Sequence, residues 1–167
     1  MTKLRIGVIG AGSIATAHLD AYAAHPDVDL IAIADINLDR ARAVADRYGA
    51  ARAYDDAHEL LAADDIDGVS ICTWNDTHAL WAIAAIEAGK HVLVEKPLSR
   101  TVAEAVEIEK AAASSDRVVQ VGFVRRHSPN CQVLKSFIDA GELGEMYYAK
   151  ASLIRRMGNP GGWFADK

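Results

Sequence analysis

The chain has 167 residues, 51% of them hydrophobic and 25% charged, and a net charge of −5 at pH 7. This length accommodates one domain and part of another, and the composition is typical of a globular protein. The acidic balance argues against a general nucleic-acid binder, because phosphate binding needs a basic face. No apolar run approaches the roughly 20 residues that span a bilayer, and the N-terminus has no signal-peptide pattern. We therefore expect no nucleic-acid partner and no membrane partner.

Cysteine usage indicates the cellular compartment. The two cysteines, Cys72 and Cys131, fall in a predicted strand and a predicted helix. Two scattered cysteines do not make a disulfide framework, so the sequence predicts a reducing, cytoplasmic location.

Short apolar runs alternate with longer amphipathic stretches through the first part of the chain. We predict strands at residues 4–9, 28–34, 68–72, 91–94 and 118–121. We predict helices at residues 14–24, 38–48, 59–63, 77–88 and 102–113, with Gly49 as the C-terminal cap of the second. Strands that alternate with helices imply parallel βαβ units with right-handed crossovers. The predicted fold class is therefore α/β, with a doubly wound parallel sheet of the Rossmann type.

The rhythm of the sequence changes after Gly122. A helix is predicted at 132–140, and an alternating, half-exposed strand is predicted at 146–156. We therefore predict a Rossmann domain at 1–122 and the start of an incomplete α+β second domain at 123–167.

A glycine-rich turn follows the first strand and opens the first helix. Gly10 permits the tight turn, and Gly12 lets the backbone approach a pyrophosphate. The amides of Ser13 and Ile14 lie at a helix N-terminus, which favours an anion. Asp35 ends the second strand, where a carboxylate accepts hydrogen bonds from ribose hydroxyls and repels a 2′-phosphate. The sequence therefore predicts a site for NAD rather than NADP.

Two alternatives to this dinucleotide site are open. The glycines could serve packing alone, or the same fold could bind another adenosyl ligand such as S-adenosylmethionine. Arg40 is the nearby base, and we predict it to be a surface residue.

Three further motifs extend the pattern beyond the glycine turn. They are Thr73-Trp74-Asn75-Asp76-Thr77-His78, the run from Glu87 to Pro97 that ends in Glu95-Lys96-Pro97, and Val121-Gly122-Phe123-Val124-Arg125-Arg126. Together with the turn, they resemble the Gfo/Idh/MocA family of NAD(P)-dependent oxidoreductases, over essentially the whole chain. Trp74 stands where the family pattern has proline, and it could lie against the cofactor or cover the rim of the pocket.

The resemblance implies roles for individual residues. It implies that Thr73, Asn75 and His78 line the cofactor site, and that Glu95 contacts the nicotinamide side. His78 stands at a predicted helix start, so it could instead only cap or pack there. It places Lys96 between the nicotinamide and a substrate hydroxyl. It also implies that the peptide bond between Lys96 and Pro97 is cis, which costs little before proline.

The resemblance implies hydride transfer between nicotinamide and a hydroxyl or carbonyl of a sugar, inositol or related polyol. Lys96 could orient the hydroxyl, stabilise a developing alkoxide or move the proton, or it could only pair with Glu95. The alternative function is a non-catalytic NAD-binding regulator or sensor on the same scaffold. Such proteins usually lack the lysine, so the presence of Lys96 favours the enzyme.

Other residues are weighed as candidates for substrate or metal contacts. Arg125, Arg155 and Trp163 could meet the substrate. His18, His25 and His58 have no partner pattern, and we predict them to be surface residues. No His/Cys cluster has metal-ligand spacing, so no metal is expected.

The resemblance also implies that the active site is incomplete in this chain. In the family, the second domain supplies an Asp and a His that would lie beyond Lys167. We therefore expect the chain to be a fragment that binds NAD but turns over little, and we expect the full-length form to be a homo-oligomer.

Overall fold

Six short segments form one parallel sheet in the structure, a computed structural model that describes residues 3–152 and 154. The strands are β1 (Leu4–Ile9), β2 (Val28–Ala34), β3 (Arg52–Tyr54), β4 (Gly68–Ile71), β5 (His91–Val94) and β6 (Val119–Val121). All but β3 confirm predicted strands. The three residues of β3 are too few to show a strand pattern in the sequence.

Helices connect the strands as predicted, with small shifts at their ends. They are α1 (Ser13–Ala24), α2 (Leu38–Tyr48), α3 (Ala57–Leu61), α4 (His78–Glu87) and α5 (Val102–Ala113), and α6 (Pro129–Asp139) follows the last strand. Local signals set their ends. The side chain of Asn37 caps the start of α2, and Gly49 ends it in the left-handed conformation with φ 73°, which confirms the predicted cap.

The strand order is β3-β2-β1-β4-β5-β6, and every pair is parallel. From β1 the chain builds outward to β2 and β3, and then returns to add β4, β5 and β6 on the other side. This is the order of the doubly wound dinucleotide-binding fold, and it confirms the predicted fold class. The direction of winding reverses between β1 and β4, so a crevice opens there at the carboxyl ends of the strands.

Helices cover both faces of the sheet because successive strand residues point to opposite sides. Val8 of β1 is buried with Leu19 of α1, on the face that α1 and α2 cover. Its neighbour Ile9 is buried with residues of α3, α4 and α5, among them Leu60 and Ile108. Both faces of the sheet are therefore largely apolar, and Ser70 of β4 is a buried polar exception.

The chain divides into two compact units, Met1–Val124 and Arg125–Lys167. This division lies close to the boundary predicted after Gly122, while the assignment of the second unit to a substrate domain stays a prediction. In the described part of the chain, no helix has both the length and the apolar character that crossing a bilayer requires.

The strand predicted at 146–156 is wrong over the part that the structure describes. Residues 146–152 have no regular secondary structure, and Tyr147 and Tyr148 are exposed. An alternating pattern forms a strand only when a neighbouring strand pairs with its backbone, and no such partner is found among residues 125–152. The rest of the predicted strand, apart from Ile154, lies outside the described residues.

At the amino end of the sheet, an ion pair joins Arg5 of β1 to Asp67, the residue before β4. Arg5 of β1 donates from Nε to Oδ2 of Asp67 at 3.0 Å and from Nη2 to Oδ1 at 2.6 Å, and its backbone N–H donates to Oδ2 at 2.8 Å. The side-chain hydrogen bond from Arg5 lowers the pKa of Asp67 to about 2. The carboxylate therefore stabilises the register of β1 against β4 in its ionised form.

This pair predicts a stability profile in acid. Because the folded pKa lies below the ordinary value of ~3.9, the contribution of Asp67 is complete above about pH 4 and is lost as the pH falls towards 2. Urea unfolding at a series of pH values measures it. Asp67→Asn is expected to lower stability at pH 7 and to reduce the further loss in acid. Wild-type and variant profiles that run parallel down to pH 2 would contradict this.

Candidate cofactor and active site

Positions 10 and 12, in the turn after β1, require glycine for different structural reasons. Gly10 has φ 91°, and a Cβ built on it would lie 2.7 Å from the backbone oxygen of Cys72. Gly12 precedes α1, and a Cβ built on it would meet nothing within 4 Å. Glycine is therefore required at position 10 by the positive φ and by the close approach of Cys72, the residue after β4. Gly12 instead opens onto free space, as a cradle for a pyrophosphate requires.

Backbone donors at the start of α1 face the same space. Gly12 is the N-cap and has no side chain with which to cap the helix, and the N–H of Ala15 makes the first helical hydrogen bond, to the oxygen of Gly12 at 3.1 Å. The amides of Ser13 and Ile14 come before that bond, and both residues are exposed. These groups fit a pyrophosphate, since the first amides of a helix need an acceptor from outside it.

Asp35 lies at the end of β2 and is 7% exposed. Its Oδ2 accepts the N–H of Ala11 at 2.8 Å, and its Oδ1 accepts the N–H of Asn37 at 2.9 Å. Burial opposes ionisation, but hydrogen bonds from Arg40, Asn37 and Ala11 outweigh it and lower the pKa of the carboxyl. Asp35 is therefore a carboxylate that orders the glycine turn, besides its predicted role towards the ribose.

Arg40 is exposed, as predicted, and its guanidinium also contacts Asp35. Its Nε donates to Oδ2 of Asp35 at 3.0 Å, and its Nη2 donates to Oδ1 at 2.5 Å. The cap of α2 explains this placement, since the N–H of Arg40 donates to Oδ1 of Asn37 and sets the first turn of the helix beside the end of β2. The carboxylate that was predicted to repel a 2′-phosphate is thus accompanied by a cation.

The loop after β4 carries Thr73, Trp74 and Asn75 to the carboxyl edge, next to the glycine turn. Trp74 is 72% exposed, so both predicted placements, against the cofactor and over the rim of the pocket, stay open. Thr77 donates its hydroxyl to Oγ1 of Thr73 at 2.8 Å and so folds the loop onto the start of α4. The loop is therefore ordered by its own side chains.

His78, predicted to line the cofactor site or only to cap or pack, is buried in the structure, and its contact with a cofactor stays a prediction. The ring is 1% exposed, and its Nδ1 lies 2.6 Å from the oxygen of Pro97 and its Nε2 3.2 Å from the oxygen of Thr73. It joins the loop after β4 to the turn after β5 and so positions both.

The turn after β5 holds Glu95, Lys96 and Pro97. The peptide bond between Lys96 and Pro97 is cis, as predicted. Lys96 is exposed, and its backbone N–H donates to Oε2 of Glu95 at 3.1 Å. Among the described residues, no ion pair joins the Lys96 ammonium to Glu95, so the reading in which Lys96 only pairs with Glu95 is not supported.

His18 is a further correction, since it was predicted to be at the surface. Its side chain is 10% exposed, and it contacts Glu95 and Ser70. The face of α1 that carries the buried residues Ala15 and Leu19 packs on the sheet, and His18 and Tyr22, four residues apart, border it. The spacing of His18 and Tyr22 was the signal in the sequence that could have predicted this placement. The partners of His18, Ser70 and Glu95, lie far along the chain.

The remaining candidates are not assembled by the described residues. Arg125 is exposed in the second unit, and Arg155 and Trp163 lie outside the described residues. Within residues 3–152 and 154, no group of three or more His, Cys, Asp or Glu side chains could hold a metal ion.

Comparison with known proteins places this geometry in a family. A sequence model described as "Oxidoreductase family, NAD-binding Rossmann fold" matches residues 4–123. The chain is 37% identical to D-glucoside 3-dehydrogenase of Escherichia coli K12, over 99% of this chain and 48% of that protein. It is 40% identical to inositol 2-dehydrogenase of Pseudomonas syringae, over 85% of this chain and 43% of that protein.

A solved structure of levoglucosan dehydrogenase in complex with NADH superposes with a TM-score of 0.82 and 36% identity, over 86% of this chain and 41% of that one. The chain belongs to the Gfo/Idh/MocA oxidoreductase family, and its first unit has the NAD-binding Rossmann fold. It spans about half the length of the curated relatives it matches.

Alanine at the two glycines separates folding from cofactor binding. Gly12→Ala is expected to leave the thermal midpoint unchanged and to weaken NAD by about tenfold or more, because its Cβ projects into open space at the helix N-terminus. Gly10→Ala is expected to destabilise the fold by roughly 1–3 kcal/mol, because of its φ and its contact with Cys72. Calorimetric titration and thermal unfolding check both. Equal effects of the two variants on stability would contradict this division.

Removing the Arg40 guanidinium is expected to sharpen the preference for NAD. Arg40→Ala leaves the Asp35 carboxylate without its cation, so NADP affinity should fall relative to NAD affinity by about tenfold. Arg42→Ala is the control, because Arg42 lies on the same helix and pairs only loosely with Asp39, at 3.8 Å. An NAD/NADP ratio that Arg40→Ala leaves at the wild-type value would show that Arg40 has no influence on the ribose site.

Proposed function

We propose that the protein is an NAD-dependent oxidoreductase that transfers a hydride between nicotinamide and a hydroxyl or carbonyl of a sugar, inositol or related polyol. The supporting observation is that the predicted site residues follow different strands and yet lie at one edge of the sheet. The glycine turn after β1, Asp35 after β2 and the Glu95-Lys96 turn after β5 all lie at the carboxyl edge of one sheet, on both sides of the point where its winding reverses. Ligands of doubly wound sheets bind at that edge.

The residues of this edge divide between the parts of the cofactor. Asp35 would hold the adenosine ribose, and the free amides at the start of α1 would hold the pyrophosphate across Gly12. Thr73, Asn75 and Glu95 follow β4 and β5, which leaves them for the nicotinamide half. When bound, the nicotinamide supplies the hydride acceptor or donor.

Lys96 is the residue proposed to act on the substrate. It is exposed at the edge, and its ammonium is not engaged by Glu95 in the described part of the chain. As the ammonium, this side chain can donate a hydrogen bond to the substrate oxygen, stabilise negative charge on it and release a proton to it. As the neutral amine, it can take up the proton that leaves the hydroxyl when the hydride is transferred to the nicotinamide.

The substrate class rests on the relatives. Proteins named for D-glucoside and inositol dehydrogenation share the cofactor domain of this chain at 37% and 40% identity. Both names denote oxidation of a ring hydroxyl, which is the reason for proposing a sugar or polyol. Arg125, Arg155 and Trp163 stay candidates for substrate contacts. The full-length form is proposed to be a homo-oligomer. A cytoplasmic location is proposed because both cysteines are free thiols.

Substitution of Lys96 tests the proposal. In the full-length protein, Lys96→Ala is expected to reduce NADH formation from inositols and glucosides by about 10²–10⁴-fold, because the proton of the hydroxyl then has no acceptor. NAD affinity should stay within a few-fold of wild type, since most of the proposed cofactor contacts come from the glycine turn, Asp35 and the loop after β4. NADH absorbance and calorimetry measure the two quantities.

Lys110→Ala is the control, because Lys110 is an exposed lysine of α5 that pairs with Glu107. Loss of NAD binding in Lys96→Ala, with no separate effect on turnover, would make Lys96 a cofactor ligand. Undiminished turnover would remove it from the mechanism.

A further inference from the structure

A chain of polar side chains runs beneath the candidate active site, from α1 through β4 to the turn after β5. The hydroxyl of Tyr22 lies 2.5 Å from Oγ of Ser70, which lies 3.2 Å from Nδ1 of His18. Nε2 of His18 lies 3.0 Å from Oε1 of Glu95. Ser70 is fully buried, and the side chains of His18 and Glu95 are 10% and 13% exposed. These contacts join elements that are distant in the sequence.

One assignment of hydrogens satisfies every member of this chain. The Glu95 carboxylate only accepts, so Nε2 of His18 donates to it. Nδ1 of the neutral ring then accepts from the Ser70 hydroxyl, whose oxygen accepts from the Tyr22 hydroxyl. Each group thereby fixes the orientation of the next, and the direction of donation ends on Glu95.

Glu95 is enclosed on other sides as well. Its Oε2 accepts the backbone N–H of Lys96, and its backbone N–H donates to the oxygen of Ile71 at 3.0 Å. A Cβ built on Gly122 would lie 3.0 Å from Oε1, so the absence of a side chain there gives the carboxylate its room. The position of the Glu95 carboxylate is therefore tied to that of Lys96, the residue proposed to act on the substrate.

We propose that His18 is a positioning residue for the nicotinamide half of the cofactor site, acting through Glu95. This inference rests on the proposed function, because it assigns the β5 side of the crevice to the nicotinamide and the β2 side to the adenosine. His18 contacts neither cofactor nor substrate. It holds the carboxylate, and with it the turn bearing Lys96, in one orientation before the cofactor arrives.

The proposed role of His18 is tested with two ligands, NAD and ADP-ribose, and two variants, His18→Gln and His18→Asn. NAD and ADP-ribose share the adenosine, the pyrophosphate and the second ribose, and differ in the nicotinamide. The amide nitrogen of glutamine reaches the place of Nε2 of histidine, whereas that of asparagine reaches only the place of Nδ1. His18→Gln therefore keeps the donor to Glu95, and His18→Asn removes it but keeps a partner for Ser70. Calorimetric titration of each variant with each ligand gives the affinities.

We expect His18→Asn to weaken NAD by about tenfold, as loss of a hydrogen bond to a charged group does, and to leave ADP-ribose within about twofold. We expect His18→Gln to keep both affinities within about threefold of wild type. Glu95→Ala should weaken NAD in the same way. In the Glu95→Ala background, where Nε2 of His18 has lost its acceptor, His18→Asn should cost nothing further, because His18 acts through that carboxylate.

Several results would overturn the inference. If His18→Asn weakens NAD and ADP-ribose equally, or if its effect is undiminished in the Glu95→Ala background, His18 is a structural residue of the core only, and the cofactor site stands. If wild type binds ADP-ribose as tightly as NAD, the nicotinamide does not meet the Glu95 turn. If wild type binds neither ligand, the proposed function itself fails. Should His18→Asn not fold, His18→Phe, which keeps a ring but has no donor for Glu95, is titrated with both ligands in its place, and the same outcomes support or overturn the inference.

Discussion

The buried carboxylate of Asp35 is the interaction on which the cofactor edge depends. A carboxylate that is 7% exposed is costly unless several donors surround it. Here the donors come from the glycine turn through Ala11, from the start of α2 through Asn37, and from the guanidinium of Arg40. The same group that is proposed to hold a ribose thus fixes the backbone that is proposed to hold the pyrophosphate. Binding and folding are coupled at this position.

The opposite side of the crevice depends on two histidines. His78 joins the loop after β4 to the oxygen of Pro97, and His18 joins α1 to the carboxylate of Glu95. Both rings are largely enclosed, and both act on the turn that carries Lys96 without reaching the crevice themselves. The exposed lysine is therefore mounted on a turn that is held from two sides, which limits the entropy that a reacting geometry would lose.

Local signals explain what could be predicted from the sequence. Residues 38–48 were predicted without error because a capping asparagine precedes them and a glycine in the left-handed conformation follows. The glycine turn was recognised because its spacing reflects a backbone constraint, which the φ of Gly10 confirms. The cis peptide before Pro97 followed from the family motif, since nothing in the local sequence distinguishes it from a trans bond.

Contacts between distant residues explain what could not be predicted. His18 and Glu95 are separated by 77 positions, and only the order of strands brings α1 beside the end of β5. Arg40 lies close to Asp35 in sequence, but its contact depends on the angle at which α2 leaves β2. The alternating run from Met146 satisfies the pattern of a strand and still lacks a partner among the described residues, since pairing is a property of the whole sheet.

A crystal structure of the protein with NAD tests the central claim most directly. The structure predicts the adenosine ribose on Asp35, the pyrophosphate across Gly12 at the start of α1, and the nicotinamide beside Glu95 and Lys96. A dinucleotide bound with its nicotinamide away from the turn after β5, or bound outside the carboxyl edge of the sheet, would contradict it.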